Sequence, residues 1–213
     1  MIHTKPTCGA SGRNSSTQYL NHWVSHSAFK NGIAKPTFTF WPWIFAPSAM
    51  LNWPPTDTAI DAMTDEQWRT TAAVNLDSAF ALVKHAVAQM KLQERGGHIV
   101  MVSSTAAQRG EAGHCDYAAT KGALISMVKG LSTELAPFGI YVNCVAPGWV
   151  GTDMSADALQ DPQRRMLIHA TIPLGRVGKP EEIAAPILFL CTPYAGFITG
   201  EVFNVNGGAV LVG

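Results

Sequence analysis

Three side chains in the stretch from Ser103 to Lys121 have types and spacing that suit proton transfer: Ser104, Tyr117 and Lys121. Tyr117 and Lys121 are four residues apart, which on a helix puts both on one face with Cβ atoms about 5–6 Å apart. A free phenol has a pKa of about 10 and keeps its proton near neutrality. An ammonium ~6 Å away, at an effective dielectric near 20, favours the phenolate by about 3 kcal/mol. That brings the phenol toward a pKa of about 8, where a tyrosine is a usable general acid–base. Ser104 stands thirteen residues before Tyr117, after an apolar run. Its hydroxyl both donates and accepts hydrogen bonds. Together the three groups could grip a carbonyl or alcohol oxygen and move one proton. His114 falls on the flank of the helix start, so no nucleophile with a His base is suggested.

Taken singly, each residue has a plainer explanation. Tyr and Lys at this spacing usually form a surface pair, and a serine ending a strand is usually a turn residue. Ala118, Ala119, Gly122 and Ala123 could serve only close helix packing. The ordered combination of strand, serine, offset, tyrosine and lysine is what favours chemistry.

The elements that must position these groups are legible. Thr64 and Gln67 form a capping box, with Asp65 and Glu66 suited to a helix N-terminus. Apolar Trp68, Val74, Leu76, Phe80, Val83, Val87 and Met90 predict a helix over about 65–91. After Gly96-Gly97, the run His98–Ser103 reads as a strand buried on both faces. A helix over about 115–136 follows, stopped by Pro137 and Gly139. Ile140–Val145 is the next buried strand, broken by Pro147-Gly148. A loop with weak helical character covers about 152–172, Pro180 opens a helix to about Leu190, and Val202–Val205 is a last strand. Strands alternating with helices predict an α/β fold with a parallel sheet. Ligands in such sheets bind beyond the carboxyl ends of the strands, here the loops after Val102 and Val145.

The 213 residues suit one domain, at most two, and fifteen basic and fifteen acidic residues cancel. That balance offers no field for nucleic acid or an anionic membrane. Cys8, Cys115, Cys144 and Cys191 are widely spaced, without metal-ligand patterns. They read as reduced thiols of a cytoplasmic protein with no metal site. No apolar run reaches the ~18 residues of a membrane span; Phe38–Leu51 is short and broken by Pro42 and Pro47. Met1–Arg13 has no apolar core of a signal peptide.

With these elements in order, the chain resembles the short-chain dehydrogenase/reductase family from about Asp57 to Gly213. Ser104, Tyr117 and Lys121 match the family's Ser and Tyr-x-x-x-Lys. "AAVNLDSAF" places Asn75 at the family's fourth catalytic position, and "NCVAPGWVGT" matches its N-x-x-x-P-G-x-x-x-T region. "GRVGKPEEIAAPILFLCTP" and "ITGEVFNVNGG" match its C-terminal helix and last strand. The resemblance implies a Rossmann-like doubly wound parallel sheet flanked by helices, and a homodimer or homotetramer. It implies NAD or NADP as cofactor and a small carbonyl or alcohol substrate. Tyr117 would exchange the proton, Lys121 would tune the phenol and bind the nicotinamide ribose, and Ser104 would orient the substrate. Asn75 would interrupt its helix and hold a water for proton relay. Pro147 and Gly148 would shape the turn that brings Val150 and Thr152 to the nicotinamide carboxamide.

Residues 1–56 depart from this pattern. They contain no Asp or Glu and four of the six Trp. Where the family has a glycine-rich phosphate turn, "TCGASGRNSS" offers only Gly9 and Gly12, and no G-x-G-x-x-G occurs. The N-terminal βαβ portion of the fold is therefore expected to be incomplete, an atypical segment ahead of a catalytic portion over 57–213. An out-of-frame or mis-started reading fits the composition best; a targeting peptide and a divergent native segment are the alternatives. Phe38–Phe45 has the residue types of one further buried strand. The leading expectation is an NAD(P)-dependent carbonyl reductase. The rivals are a catalytically impaired remnant that acts only as an assembly partner, and a membrane-surface protein using the Trp-rich segment. The loops Ala106–Asp116 and Asp153–Pro173 offer Gln108, Arg109 and His114 as polar handles for substrate.

Overall fold

The computed structural model describes residues 57–212 and the backbone of a strand at Ile44–Phe45. The expectations placed on Thr7–Ser16, and on the remainder of the first 56 residues, lie outside the described residues.

Thr64 takes extended backbone and its hydroxyl accepts from the Gln67 N–H at 3.1 Å, opening helix α1, Asp65–Ala72. The return half of the expected capping box is replaced, because the Gln67 side chain reaches Asp116 instead, at 3.3 Å. The predicted single helix over 65–91 is interrupted: α1 passes into a π-helical segment, Ala73–Asp77, and then α2, Ser78–Gln93. Val83 and Met90 are buried and Leu76 and Val87 pack beside them, whereas Trp68 and Phe80 point outward. The chain turns at left-handed Glu94 and Gly96. A Cβ on Gly96 would sit 2.4 Å from the Gly139 carbonyl oxygen, so only glycine fits that crossing.

Strand β2, Gly97–Val102, leads to a short helix α3, Ala106–Arg109, and then α4, Cys115–Leu135. Pro137 lies in the 3-10 turn Ala136–Phe138 that ends the helix, and Gly139 turns the chain into β3, Ile140–Pro147. The weakly helical region resolves into a 3-10 turn, Asp153–Ser155, then α5, Ala156–Gln160, and α6, Pro162–Ala170. Asp161 caps α6 by accepting from the Gln163 N–H at 2.8 Å, ahead of Pro162 at the first helical position. Helix α7, Pro180–Leu190, precedes β4, Val202–Val205.

The sheet is parallel, in the order β1-β2-β3-β4, with β1 at Ile44–Phe45. Its first strand thus lies upstream of the Asp57 boundary that composition suggests. Ile99 pairs with Val142 and Val102 with Val145, which aligns the ends of β2 and β3. Alternating side chains bury both faces. Ile99, Met101, Val142 and Cys144 meet Val83, Met90, Leu124 and Val128 of α2 and α4. Val100 and Val145 meet Ile183, Ile187 and Leu190 of α7. Each aliphatic side chain fully buried this way contributes about 1.5–3 kcal/mol. Helices on both faces of a sequentially ordered parallel sheet make one wing of a Rossmann-like doubly wound fold. Parallel strands put their carboxyl ends along one edge, and the candidate residues gather there.

Candidate active site

Ser104 follows the end of β2. The Ser103 and Thr105 N–H groups donate to the Val145 and Pro147 carbonyls at 2.8 and 2.9 Å, extending the ladder and pinning Ser104 beside the end of β3. The Ser104 hydroxyl accepts from the Ala106 N–H at 3.1 Å and acts to lower the pKa of the Tyr117 phenol. The turn bond leaves that hydroxyl its donor and a second acceptor site, because a serine oxygen offers one donor and two acceptor positions.

Tyr117 and Lys121 rise from the first turns of α4 on one face. Lys121 Nζ lies 5.7 Å from the centre of the Tyr117 ring. The lysine is buried, 3% exposed, and its Nζ donates to the Val102 carbonyl oxygen at 3.1 Å. Burial pushes its pKa down to about 8, and the neighbouring Cys144 thiol opposes that shift.

The expected direction for the phenol is reversed. Tyr117 is held above its ordinary value, chiefly by burial, with Glu111 adding to the rise and the Ser104 hydroxyl opposing it. A pairwise Coulomb argument treats the phenol as solvated. Here desolvation penalises the phenolate more than its neighbours favour it, and the ammonium is itself buried and turned to a carbonyl. At neutral pH the site therefore presents a protonated phenol.

Asn75 lies in the π-helical segment, the interruption expected there, and that segment packs against α4. Such segments recur at functional sites because they re-aim side chains and free backbone groups. Asn75 is 7% exposed and its Nδ2 finds no hydrogen-bond partner among the described residues. An unpaired buried amide is costly in a closed core, so a polar ligand or water is the fitting complement.

The loop after β3 carries the other candidates. The Gly148 N–H donates to the Val205 carbonyl at 3.1 Å, and a Cβ on Gly148 would lie 2.9 Å from that of Asn206. Val150 bridges Gly178, with the Gly151 and Gly178 N–H groups bonded across at 2.9 Å each. Ser155 holds the next turn by accepting from the Thr152 N–H at 3.1 Å and donating to the Val150 carbonyl at 2.6 Å. Pro147, Gly148, Val150 and Thr152 thus form one fixed run at the same sheet edge as Ser104.

The donor set fits a nicotinamide riboside. An ammonium has three donors, and Lys121 spends one on Val102, leaving two for a ribose diol. Among the described residues no three His, Cys, Asp or Glu side chains converge as metal ligands.

Sequence reading missed two features. The Glu111 carboxylate acts electrostatically on the phenol, raising its pKa, and forms a salt bridge with Arg109 at 2.5 Å. Asp116 is buried and bonded to α1. Nothing short-range signals either, since each depends on how a loop or helix docks. Gln108, one of the expected polar handles, donates to the Asn204 side chain at 2.6 Å.

A family profile described as Enoyl-(Acyl carrier protein) reductase matches residues 45–210. The chain belongs to the short-chain dehydrogenase/reductase family. This short-chain dehydrogenase/reductase is 41% identical over 156 residues to 3-oxoacyl-(acyl-carrier-protein) reductase FabG of Vibrio cholerae, covering 73% of this chain and 63% of the relative. The Salmonella typhimurium protein of the same name is 42% identical over the same span. The chain therefore spans somewhat under two thirds of the length of these curated relatives. Among solved structures, it superposes with a TM-score of 0.66 on a short-chain dehydrogenase/reductase, glucose/ribitol dehydrogenase, from Brucella melitensis, at 41% identity, covering 73% of this chain and 61% of that one. A putative NAD(P) dependent gluconate 5-dehydrogenase from Beutenbergia cavernae, solved with bound NADP, gives 0.69 at 33% identity, covering 71% and 61%. Among the described residues, no helix of this family member is long and apolar enough to cross a membrane.

Proposed function

We propose that the chain is an NAD(P)-dependent oxidoreductase that interconverts a carbonyl and a secondary alcohol, working as a carbonyl reductase at neutral pH. The observation that carries this is Tyr117 and Lys121 on one face of α4, with Lys121 Nζ 5.7 Å from the centre of the phenol ring and bonded to the end of the strand that leads into Ser104. Ser104 would donate to the substrate oxygen and fix its position. Tyr117 would hand its proton to that oxygen as negative charge builds there. Lys121 would hold the ribose hydroxyls with its remaining donors, and Asn75 would retain a water that returns protons toward the phenol. Pro147 and Gly148 would set the turn from which Val150 and Thr152 meet the carboxamide. A bound nicotinamide supplies the hydride; the chain's own residues orient, exclude water and move the proton.

NADP is the first cofactor to test, because two similar structures were solved with it. The FabG relatives make a 3-oxoacyl thioester the first substrate to offer. A homodimer or homotetramer in the cytoplasm, with the catalytic portion over 57–213, completes the reading. A second reading, an impaired relative that serves only in assembly, draws on exposed apolar side chains of α2, Phe80 at 56% and Leu92 at 79%. Titration of the full chain with NADPH, followed by thermal shift, separates them. Saturable binding, with turnover of a 3-oxoacyl thioester lost in Tyr117→Phe, supports the enzyme. Absence of binding at millimolar cofactor supports the assembly role.

A further inference from the structure

We infer that Asp116 is a positioning residue: its buried carboxylate ties the helix start that carries Tyr117 to the helix that leads into Asn75. This rests on the reading of Tyr117 as the proton-transfer group. Helix α4 opens at Cys115 behind His114, whose side chain makes no capping bond. First-turn N–H groups left without a cap normally weaken a helix start. Asp116 supplies the missing acceptor from inside the turn, taking the Tyr117 N–H at 2.8 Å. Its other carboxylate oxygen accepts from the Thr71 hydroxyl at 2.7 Å and the Gln67 amide at 3.3 Å, both on α1.

The burial is what makes this more than a cap. Asp116 is 3% exposed, Thr71 is fully buried, and no cation pairs with the carboxylate among the described residues. Burying a carboxylate is costly unless hydrogen bonds replace its water. An exposed Ser or Asn would cap the turn without that cost. Three donors from two helices offset it here, and they lock α1 against α4. Thr71 is one turn ahead of Asn75 on the same helical run, and the amide of Tyr117 is itself one of the three donors. The strut therefore sets the spacing between the Asn75 arm and the Tyr117–Lys121 arm of the site. A displacement of about 1 Å in such a constellation can cost about 100-fold in rate.

Three variants of the full chain test this: Asp116→Ala, Asp116→Asn and Thr71→Val, each assayed for ketone reduction and for retained helix content. Asp116→Ala is expected to lower kcat by about 10–100-fold with the KM for NADPH unchanged. Asp116→Asn keeps an acceptor for the Tyr117 amide and a group that bonds Thr71, and regains most of the loss. Thr71→Val keeps the buried shape, folds, and lowers kcat in the same direction by less; it decides the matter where Asp116→Ala does not fold. Wild-type kcat in Thr71→Val and Asp116→Ala, with only the melting temperature reduced, overturns the positioning role and leaves the oxidoreductase reading intact. Failure of the unmodified chain to turn over with either cofactor overturns that reading, and the positioning role with it.

Discussion

Lys121 stands 5.7 Å from the centre of the Tyr117 ring, yet its Nζ is bonded to the Val102 carbonyl rather than to the phenol. The lysine acts on the tyrosine through space and on the backbone through contact. Its ammonium is anchored to the end of β2, where a ribose would lie against it. The phenol is left free to meet a substrate oxygen.

Replacing Tyr117 by Phe removes the group proposed to deliver the proton. Ketone reduction is expected to fall by about 10²–10⁴-fold. NADPH affinity and melting temperature should stay close to wild type, since the phenol makes no bond that holds α4 in place. Steady-state kinetics with a fluorescence titration check this, and a wild-type rate would reject Tyr117 as the proton donor.

Burial of Lys121 makes stability depend on pH with a definite sign. Between about pH 8 and its ordinary 10.5, the unfolded chain binds the proton that the folded chain has shed. Stability from this group therefore rises with pH across that window, by about 3 kcal/mol in full. Buried Cys144 and Cys191 act oppositely: their thiols are pushed up from 9.0 to about 11 and about 12, so the fold loses stability above pH 9 as the unfolded thiols ionise. Lys121→Met isolates the lysine. Urea unfolding should show the variant's stability relative to wild type declining as pH rises from 8 to 10; parallel curves would contradict the buried ammonium.

Glu111 and Ser104 push the phenol in opposite directions, upward and downward. With Tyr117 as the proposed proton donor, reduction needs the protonated phenol, and kcat/KM is expected to show a basic limb set by Tyr117 above its ordinary value. Glu111→Gln should move that limb to lower pH, and Ser104→Ala should move it higher while also reducing the rate. Shifts of the same sign in both variants would show that some other group sets the limb.

Gly148 has no room for a side chain, because a Cβ would lie 3.0 Å from the Asn206 Cα as well as 2.9 Å from its Cβ. Gly148→Ala should cost about 1–3 kcal/mol of stability. It should also weaken cofactor binding, since the run to Val150 and Thr152 moves with it. Thermal unfolding and NADPH titration measure the two effects; an unchanged melting temperature would mean that β4 yields.

What the sequence determined by itself is what rests on local order. Unbroken apolar runs mark β2 and β3 because a strand covered on both faces has no polar side to alternate with. The spacing of Tyr117 and Lys121 fixes a shared face once the segment is helical, and Pro137 with Gly139 fixes where it stops. The tertiary structure alone decided the chemistry of that face. Desolvation sums over every neighbour in space, so the rise in the Tyr117 pKa appears only when β2, α4 and the Glu111 loop are packed together. The bond between Thr71 and Asp116 spans 45 residues, and that between Gln108 and Asn204 spans 96. No periodicity encodes such pairs; they exist because helices dock on a sheet and polar groups shut off from water must find one another there.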